Sequence, residues 1–415
     1  MSDVAPARRT FFRLPDSLGA LRHRDFRLFW VGAFVSFIGT WVQRVGQGWL
    51  VYDLTGSAQA LGLLTFLGAA PMFFLTPFGG WLADRLNKRA ILVATQTVFG
   101  LCALVLSAAV WTGSISYWLI VAMAVVIGCA AAIDIPTRQS LIGHVVKVED
   151  LPNAIPLNAA TFNTARVVGP GIGGWLLAAF GPGTCYLVNG LSFLAIILAV
   201  IMIRSDLRGG SDRSASLKET LFEGMGHVMR NPAFRLLVLM VMSTAVFGFF
   251  YLSLLPALAE AKLQAGKQGL GALMTATGVG ALIGVAVLAA LSRKPYKGWT
   301  IAIAMAGFGL SMIALSFAQE QWQALVCLGS IGMCGIGQLA GTNAALQYYS
   351  PPNLRGRVIS VHVWSLAGLH PFGALLFGWV SEQAGLEVAF RLGGSVVFAV
   401  GLSVLLFGRA VKGLR

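Results

Sequence analysis

The sequence predicts an all-α, polytopic membrane protein with twelve transmembrane helices arranged as two pseudo-symmetric six-helix bundles. Three observations carry that expectation. The 415 residues are 57% hydrophobic and 11% charged, with a mean hydropathy of +0.77, far too apolar for a soluble domain of this length. The apolar residues gather in segments of about 20 or more, the length that crosses a bilayer. Leu21 to Phe29 (LRHRDFRLF) aligns with Met229 to Leu237 (MRNPAFRLL) at an offset of 208, which also carries Arg85 onto Arg293, so the second half repeats the first.

Taken in order, the first-half spans are expected at 27–52, 58–83, 90–111, 116–141, 153–179 and 184–203, and the second-half spans at 235–259, 270–291, 299–318, 322–348, 357–381 and 388–408. Turn-forming residues separate them, at Gly56-Ser57, Gly113-Ser114, Gly181-Pro182-Gly183 and Pro351-Pro352-Asn353. The chain divides into an N-terminal segment (1–25), an N-terminal bundle (26–203), a linker (204–233), a C-terminal bundle (234–409) and a tail (410–415). The linker begins polar, then offers a capping box, Ser216 with Glu219, and Leu217, Leu221, Met225, Val228 and Met229 at helical spacing. A tether helix lying on the bundle is expected there, stopped by Asn231-Pro232. Of the 30 Lys and Arg, 25 fall in or within a few residues of the N-terminal segment, the even-numbered breaks (Arg138 counted with the fourth) and the tail, against two, Lys262 and Lys267, in odd-numbered breaks. By the positive-inside rule both termini and the linker are cytoplasmic.

Composition also excludes. The net charge of +14 suggests nucleic acid only until its distribution is seen: the basic residues sit in short breaks between apolar segments rather than on one face. The five cysteines, Cys102, Cys129, Cys185, Cys327 and Cys334, lie in or beside apolar segments without metal spacing, so they read as packing residues, and neither disulfides nor a metal site is expected. Met1 to Arg24 is basic without an apolar core, so no cleavable signal peptide is expected. No H-E-x-x-H, no partnered Gly-x-Ser nucleophile and no phosphate-binding P-loop is present, which argues against an enzyme or a primary pump. No organic cofactor is required.

One stretch organises the rest. Gly79 to Ala90 (GGWLADRLNKRA) ends one apolar segment, makes a charged turn and starts another at once. Gly80 would let another helix approach closely, Asp84 could interact with a helix N-terminus, and Arg85, Lys88 and Arg89 would hold the turn on the cytoplasmic side. This resembles the signature between helices 2 and 3 of the major facilitator superfamily, with Asn87 in place of the usual Gly; Asn also visits the left-handed conformation. Ser292 to Lys297 is its second-half counterpart. Arg166 to Gly174 (RVVGPGIGG) in span 5 is similar to the motif of drug:proton antiporters, with Ala165 in place of a Gly. Its Gly169, Gly173 and Gly174 permit close contact, and Pro170 removes a helical hydrogen bond and bends the span. Gly39 to Gln43, Gln47 to Tyr52, Leu54 to Ser57, Asp134 to Gln139 and Arg355 to Val358 resemble the branch that holds enterobactin exporters and macrolide efflux proteins. The resemblance implies two six-helix halves with substrate handled between them near the midplane.

Ionisable residues inside spans are the site candidates, because a charge in a bilayer is costly unless paired or functional. Asp134 and Arg166 fall near the centres of spans 4 and 5, and an ion pair between them is one expectation. Arg138, one turn from Asp134, is the competing partner. The trio either locks the bundle or lets Asp134 carry a proton. Arg44, flanked by Gln43 and Gln47, either faces a cavity and binds an anionic or catecholate-like group or snorkels to the outer interface. His370 titrates near neutral pH or serves as a hydrogen-bonded core residue. Trp49, Tyr251 and Trp364 either wall the cavity or pack.

The functional expectation is a secondary active exporter in the inner membrane of a bacterium. It would move a small amphipathic compound, drug-like or siderophore, out of the cytoplasm in exchange for protons, as a monomer. Within carriers, lipid translocation and solute uptake are the alternatives; from another class, a receptor or scaffold without transport remains, to be separated by transport in sealed vesicles.

Overall fold

The computed structural model describes residues 16–208, 225–291, 298–352, 354–408 and 411; of Asp16, Ser17, Leu18, Pro77 and Asp84 it describes the backbone alone. Every regular element among them is a helix. The first half holds α1 (Arg24–Thr55), α2 (Ala58–Arg85), α3 (Lys88–Trp111), α4 (Tyr117–Val145), α5 (Leu151–Phe180) and α6 (Pro182–Met202). The second half holds α7 (Pro232–Phe247), α8 (Tyr251–Ala257), α9 (Gly266–Leu291), α10 (Gly298–Phe317), α11 (Gln321–Tyr349), α12 (Arg355–Ala384) and α13 (Leu386–Phe407). With the π turn Leu258–Lys262 behind them, α7 and α8 make one span, Pro232–Lys262. Eleven spans among the described residues are long and apolar enough to cross a membrane. The remaining long helix, α5, is more polar but has the length, 30 residues.

Local chemistry explains the boundaries. Ser57, Ser116 and Asn231 stand before α2, α4 and α7 and accept the free amides of the first turn, as small polar N-caps do. Asn231 precedes α7 as His23 precedes α1, at the offset of 208 read from the sequence. Arg138, counted above with a break, lies inside α4. The seventh span is not continuous: at Gly248 the ladder skips, and Gly248 N and Phe249 N both donate to Thr244 O. Ser216, Leu217, Glu219, Leu221 and the loop 292–297 lie outside the described residues.

Between apolar helices in lipid there is no hydrophobic drive, so association rests on close backbone approach and hydrogen bonds. Glycines supply the approach here. Within the halves, Gly128 of α4 sits on Gly68 O of α2, and Gly332 of α11 sits on Thr277 O of α9. Between the halves, Gly62 of α2 meets Ala374 O and Gly378 of α12, while Gly271 of α9 meets Pro170 O and Gly174 of α5. The two sets superpose by constant offsets of 204 for α4 to α11 and α5 to α12, and 209 for α2 to α9. The halves are therefore related by a pseudo-two-fold axis that repeats one junction as the other. Both junctions lie toward the same end of the molecule. There Ser57 Oγ and Gln59 N donate to Glu382 Oε2 of α12 at 2.9 and 3.3 Å, and Thr65 Oγ1 donates to Ser253 Oγ at 3.0 Å. Glu382 thus places its carboxylate on the N-terminus of α2, which the helix dipole favours.

The opposite end carries the charged turn. The expected close contact at Gly80 is absent, since a Cβ there would meet nothing; the contact is made by Gly79, which lies on Ala132 O of α4. Helical spacing puts only one of two adjacent glycines on a given face. Asn87 is not left-handed but extended, and its side chain caps α3 by accepting from Arg89 N. Arg85 lies over the Trp81 ring at 4.5 Å. Lys88 is buried and its amide donates to Leu207 O, while Arg89 and Arg24 donate to Ile203 O and Met202 O. Two cations thus satisfy the carbonyls at the end of α6, where the dipole favours positive charge. The side chain of Asp84 lies outside the description.

Two expectations follow. Gly79→Ala forces overpacking against the α4 backbone and lowers thermal stability by about 1–3 kcal/mol, whereas Gly80→Ala is neutral or stabilising; equal melting temperatures for the two variants would contradict the contact. Glu382→Ala removes the carboxylate that accepts from Ser57 and Gln59 and weakens the junction by about 1.5–3 kcal/mol. Spin labels at Ala60 and Gln383 should then report longer distances between the halves, and an unchanged distribution would remove Glu382 from the closure.

Candidate functional site

Charges within the spans define the site. Asp134 of α4 is 4% exposed. Its Oδ1 accepts from Thr95 Oγ1 (2.7 Å) and Gln96 Nε2 (2.6 Å) of α3, and its Oδ2 accepts from Arg138 Nε at 2.7 Å. Its partner is therefore Arg138 and not Arg166. The one-turn spacing on a single helix delivers the guanidinium directly, whereas α5 packs on α1 and α9. Thr95 and Gln96 went unread in the sequence, although two adjacent polar residues in an apolar span are the signal that would have found them.

Arg166 is half-buried on α5, with Nε enclosed and without a partner, and makes no ion pair among the described residues. It faces Tyr251 of α8, which also faces Thr277 of α9. Arg44 of α1 is exposed, and its charge reaches His370 of α12, which puts it on the side of α1 toward the other half. Its guanidinium lies 4.7 Å from the centroid of Trp41 and makes no ion pair among the described residues. Across the halves, His370 of α12 lies within reach of the Arg44 charge. The His370 ring stands 6.5 Å from Phe249, in the unwound turn between α7 and α8, and its Nε2 is buried without a partner. Irregular backbone at membrane depth occurs where it is enclosed by protein or lines a cavity, and this turn does so near the middle of the seventh span.

The remaining candidates divide. Gln43 is buried, accepts from Asn189 Nδ2 at 2.6 Å and donates to Gln47 Oε1 at 3.3 Å. It ties α1 to α6 instead of lining the cavity, because adjacent helical positions point in different directions; Gln47 is half-buried beside it. Trp49 and Tyr251, 7% and 2% exposed, belong to the packed core. Trp364 is 39% exposed and lies 5.5 Å from Phe73 of the other half, so it stands at the division between halves. Gly169 and Gly173 of α5 receive Trp41 and Val42 of α1, and Gly174 receives Gly271 of α9. The helix carrying Pro170 is continuous from 151 to 180, and its glycine-rich stretch 169–174 brings it close to α1 on one side and to α9 of the other half on the other.

A row of rings joins the two charged sites. Arg138 lies 5.4 Å over Phe37, Phe37 meets Phe162 edge-on at 5.4 Å, Phe162 lies 6.0 Å from Trp41, and Trp41 carries Arg44. The arrangement links a buried ion pair inside the first half to a cation–aromatic contact on α1.

Residues 16–411 match the family described as transmembrane secretion effectors. The chain is 26% identical to the multidrug efflux pump Tap of Mycolicibacterium fortuitum, over 91% of this chain and 92% of that protein. It is 22% identical to the staphyloferrin A transporter of Staphylococcus aureus, over 93% and 97%. Its fold is similar to that of a bacterial homologue of the human lysosomal transporter Spinster in an inward-facing, unoccupied conformation, with a TM-score of 0.67 over 96% of this chain and 97% of that one. A helical bundle of two repeated halves and this match over nearly the whole length lead to one conclusion: the chain is a multi-pass membrane transporter of the major facilitator superfamily and belongs to its transmembrane secretion effector family.

Proposed function

We propose that the protein exports a small amphipathic compound from the bacterial cytoplasm by alternating access, in exchange for protons. Both termini lie in the cytoplasm, so the end joined by Glu382 is periplasmic and the described state is closed on that side. The bundles are 26–203 and 234–409, joined by the cytoplasmic linker.

The observation that carries the reading is Arg44: an exposed guanidinium on the side of α1 toward the other half, without a carboxylate partner among the described residues and backed by Trp41. A cation on an aromatic ring in a desolvated cavity recognises an anionic or acceptor-rich group and leaves an apolar body to the neighbouring rings. Arg166, also without an ion-pair partner among the described residues, adds charge of the same sign. Relatives named for staphyloferrin A transport and multidrug efflux support this class of cargo. The proton step is assigned to Asp134. When Asp134 is protonated it loses its grip on Arg138, whose guanidinium then leans wholly on Phe37, the first of the rings that end under Arg44. His370, within reach of the Arg44 charge, is the second candidate in the proton path.

Purified protein in proteoliposomes tests the reading: substrate-stimulated proton flux is expected with acidic siderophores and amphipathic drugs, and its absence with siderophores, macrolides and cationic dyes alike would overturn it. Arg44→Gln should weaken binding of an acidic substrate by about 10- to 100-fold, the loss of a hydrogen bond to a charged group, while the melting temperature stays unchanged; a parallel fall in stability would make Arg44 structural.

Asp134→Asn separates coupling from packing. It leaves Arg138 unpaired, costing about 3–5 kcal/mol of stability, and Asp134→Asn with Arg138→Gln recovers that stability. If Asp134 carries the proton, the double variant still exchanges substrate for substrate but does not accumulate it against a gradient. Full gradient-driven transport in the double variant would end the assignment.

A further inference from the structure

Away from the cavity, a cleft of about 830 Å³ runs along the lipid-facing side of the α5–α9 junction. Its floor is α9 from Gln268 to Ile283, and its walls are Gly171 and Trp175 of α5 and the stretch of α11 from Leu325 to Met333. Fifteen helical steps make a floor about 22 Å long. Half of a hydrocarbon core is about 15 Å, so the groove runs from the closed end past the midplane of the bilayer. Trp175, Val279, Ile283 and Val326 on its rim are exposed, and at this depth only lipid can cover them.

The pseudo-two-fold axis places a second groove on α2, between α12 and α4, and the chain fills that one itself. The rims correspond: Trp175 becomes Trp379 and Gln268 becomes Gln59. The floor and walls differ, with Phe66 in place of Thr275, Leu63 in place of Ala272 and Val125 in place of Gly329. The Phe66 ring packs edge-on against Phe372 of α12 at 5.2 Å, and Phe372 in turn lies 6.4 Å from Phe73. Hydrocarbon of the protein thus occupies the space that the second half leaves open. A void lined by apolar side chains forfeits dispersion contacts unless it is filled, and the molecules within reach of this one are lipids.

We infer that the α5–α9–α11 groove holds one acyl chain of a membrane phospholipid from the leaflet at the closed end, as a stoichiometric part of the junction. The inference rests on the membrane placement of the helices and not on the direction or coupling of transport. The chain lies along Ala272, Thr275 and Val279 and does for this junction what Phe66 and Phe372 do for the other.

The test is Thr275→Phe, which puts into the groove the residue that the first half already carries. Full-length protein is washed in delipidating detergent and its retained phospholipid counted by native mass spectrometry. It is also placed in nanodiscs of phospholipid brominated at mid-chain, and quenching of Trp175 is read as the difference from Trp175→Phe. Wild type should retain one phospholipid that Thr275→Phe lacks, and Trp175 quenching should fall in the variant. Equal retention and equal quenching in both would overturn the inference. Quenching that falls while the retained lipid stays would place that lipid elsewhere and overturn it too. Gly329→Val, the residue at position 125 of the first half, narrows the groove from the other wall and decides the question by the same two readings if Thr275→Phe does not fold.

Discussion

Backbone-to-backbone contact at two glycine pairs is the interaction on which the rest of this molecule depends. At the α5–α9 junction Gly174 and Gly271 leave no room for a Cβ on either helix, and at the α2–α12 junction Gly62 and Gly378 do the same. Packing of this kind needs no apolar driving force and is available inside a bilayer. It brings α1, α5, α8 and α12 close enough for Arg44, Arg166, Tyr251 and His370 to gather near one level between the halves. Because the two junctions are copies of one another, the contact that closes the molecule at one place is reinforced by the same contact across the axis. Glu382, bound to the first turn of α2, supplies the polar part of that closure.

The two charged sites differ in kind. Asp134 is satisfied wholly within the first half, by α3 and by its own helix. Among the described residues, Arg44 has the Trp41 ring for a neighbour and no ion-pair partner. Between them Phe37 and Trp41 of α1 and Phe162 of α5 provide physical contact without any further polar group. The helix that bears two of these rings also receives Gly169 and Gly173 of α5. A movement of α5 against α9 therefore acts on the face of α1 that separates the acid from the cavity.

Much of this was legible in the sequence because membrane spans announce themselves. A helix that must satisfy every backbone group internally is written as a long apolar run, and the boundaries fell within a few residues of the observed ones. The repeat was legible through LRHRDFRLF and MRNPAFRLL, and α1 and α7 begin just after His23 and Asn231, at that offset. What could not be read was direction around a helix. Gly79 and Gly80 are interchangeable in a pattern but only Gly79 faces α4; Gln43 and Arg44 are neighbours in the chain but face α6 and the cavity. Arg138 and Arg166 were equal claimants on Asp134 until the neighbours of α5 were known. The break at Gly248 was hidden because Phe249, Phe250 and Tyr251 keep the run apolar while the ladder skips.

The helix that forms the pivot is also the one least suited to the membrane. The stretch of α5 from Pro152 to Arg166 holds two prolines, three asparagines, two threonines and an arginine, and the helix is absent from the eleven spans apolar enough to cross by their own composition. An arginine at the centre of a single inserted helix costs about 2.5–3.5 kcal/mol on insertion scales. By contrast α6, joined to α5 through Gly181 alone, is among the most apolar of the spans. What holds α5 in the bilayer is therefore its neighbours rather than its own composition: Gly169 and Gly173 seat it on α1 and Gly174 on α9. Side chains added at those glycines would be felt first as unassembled protein in the cell and only secondarily as lost transport.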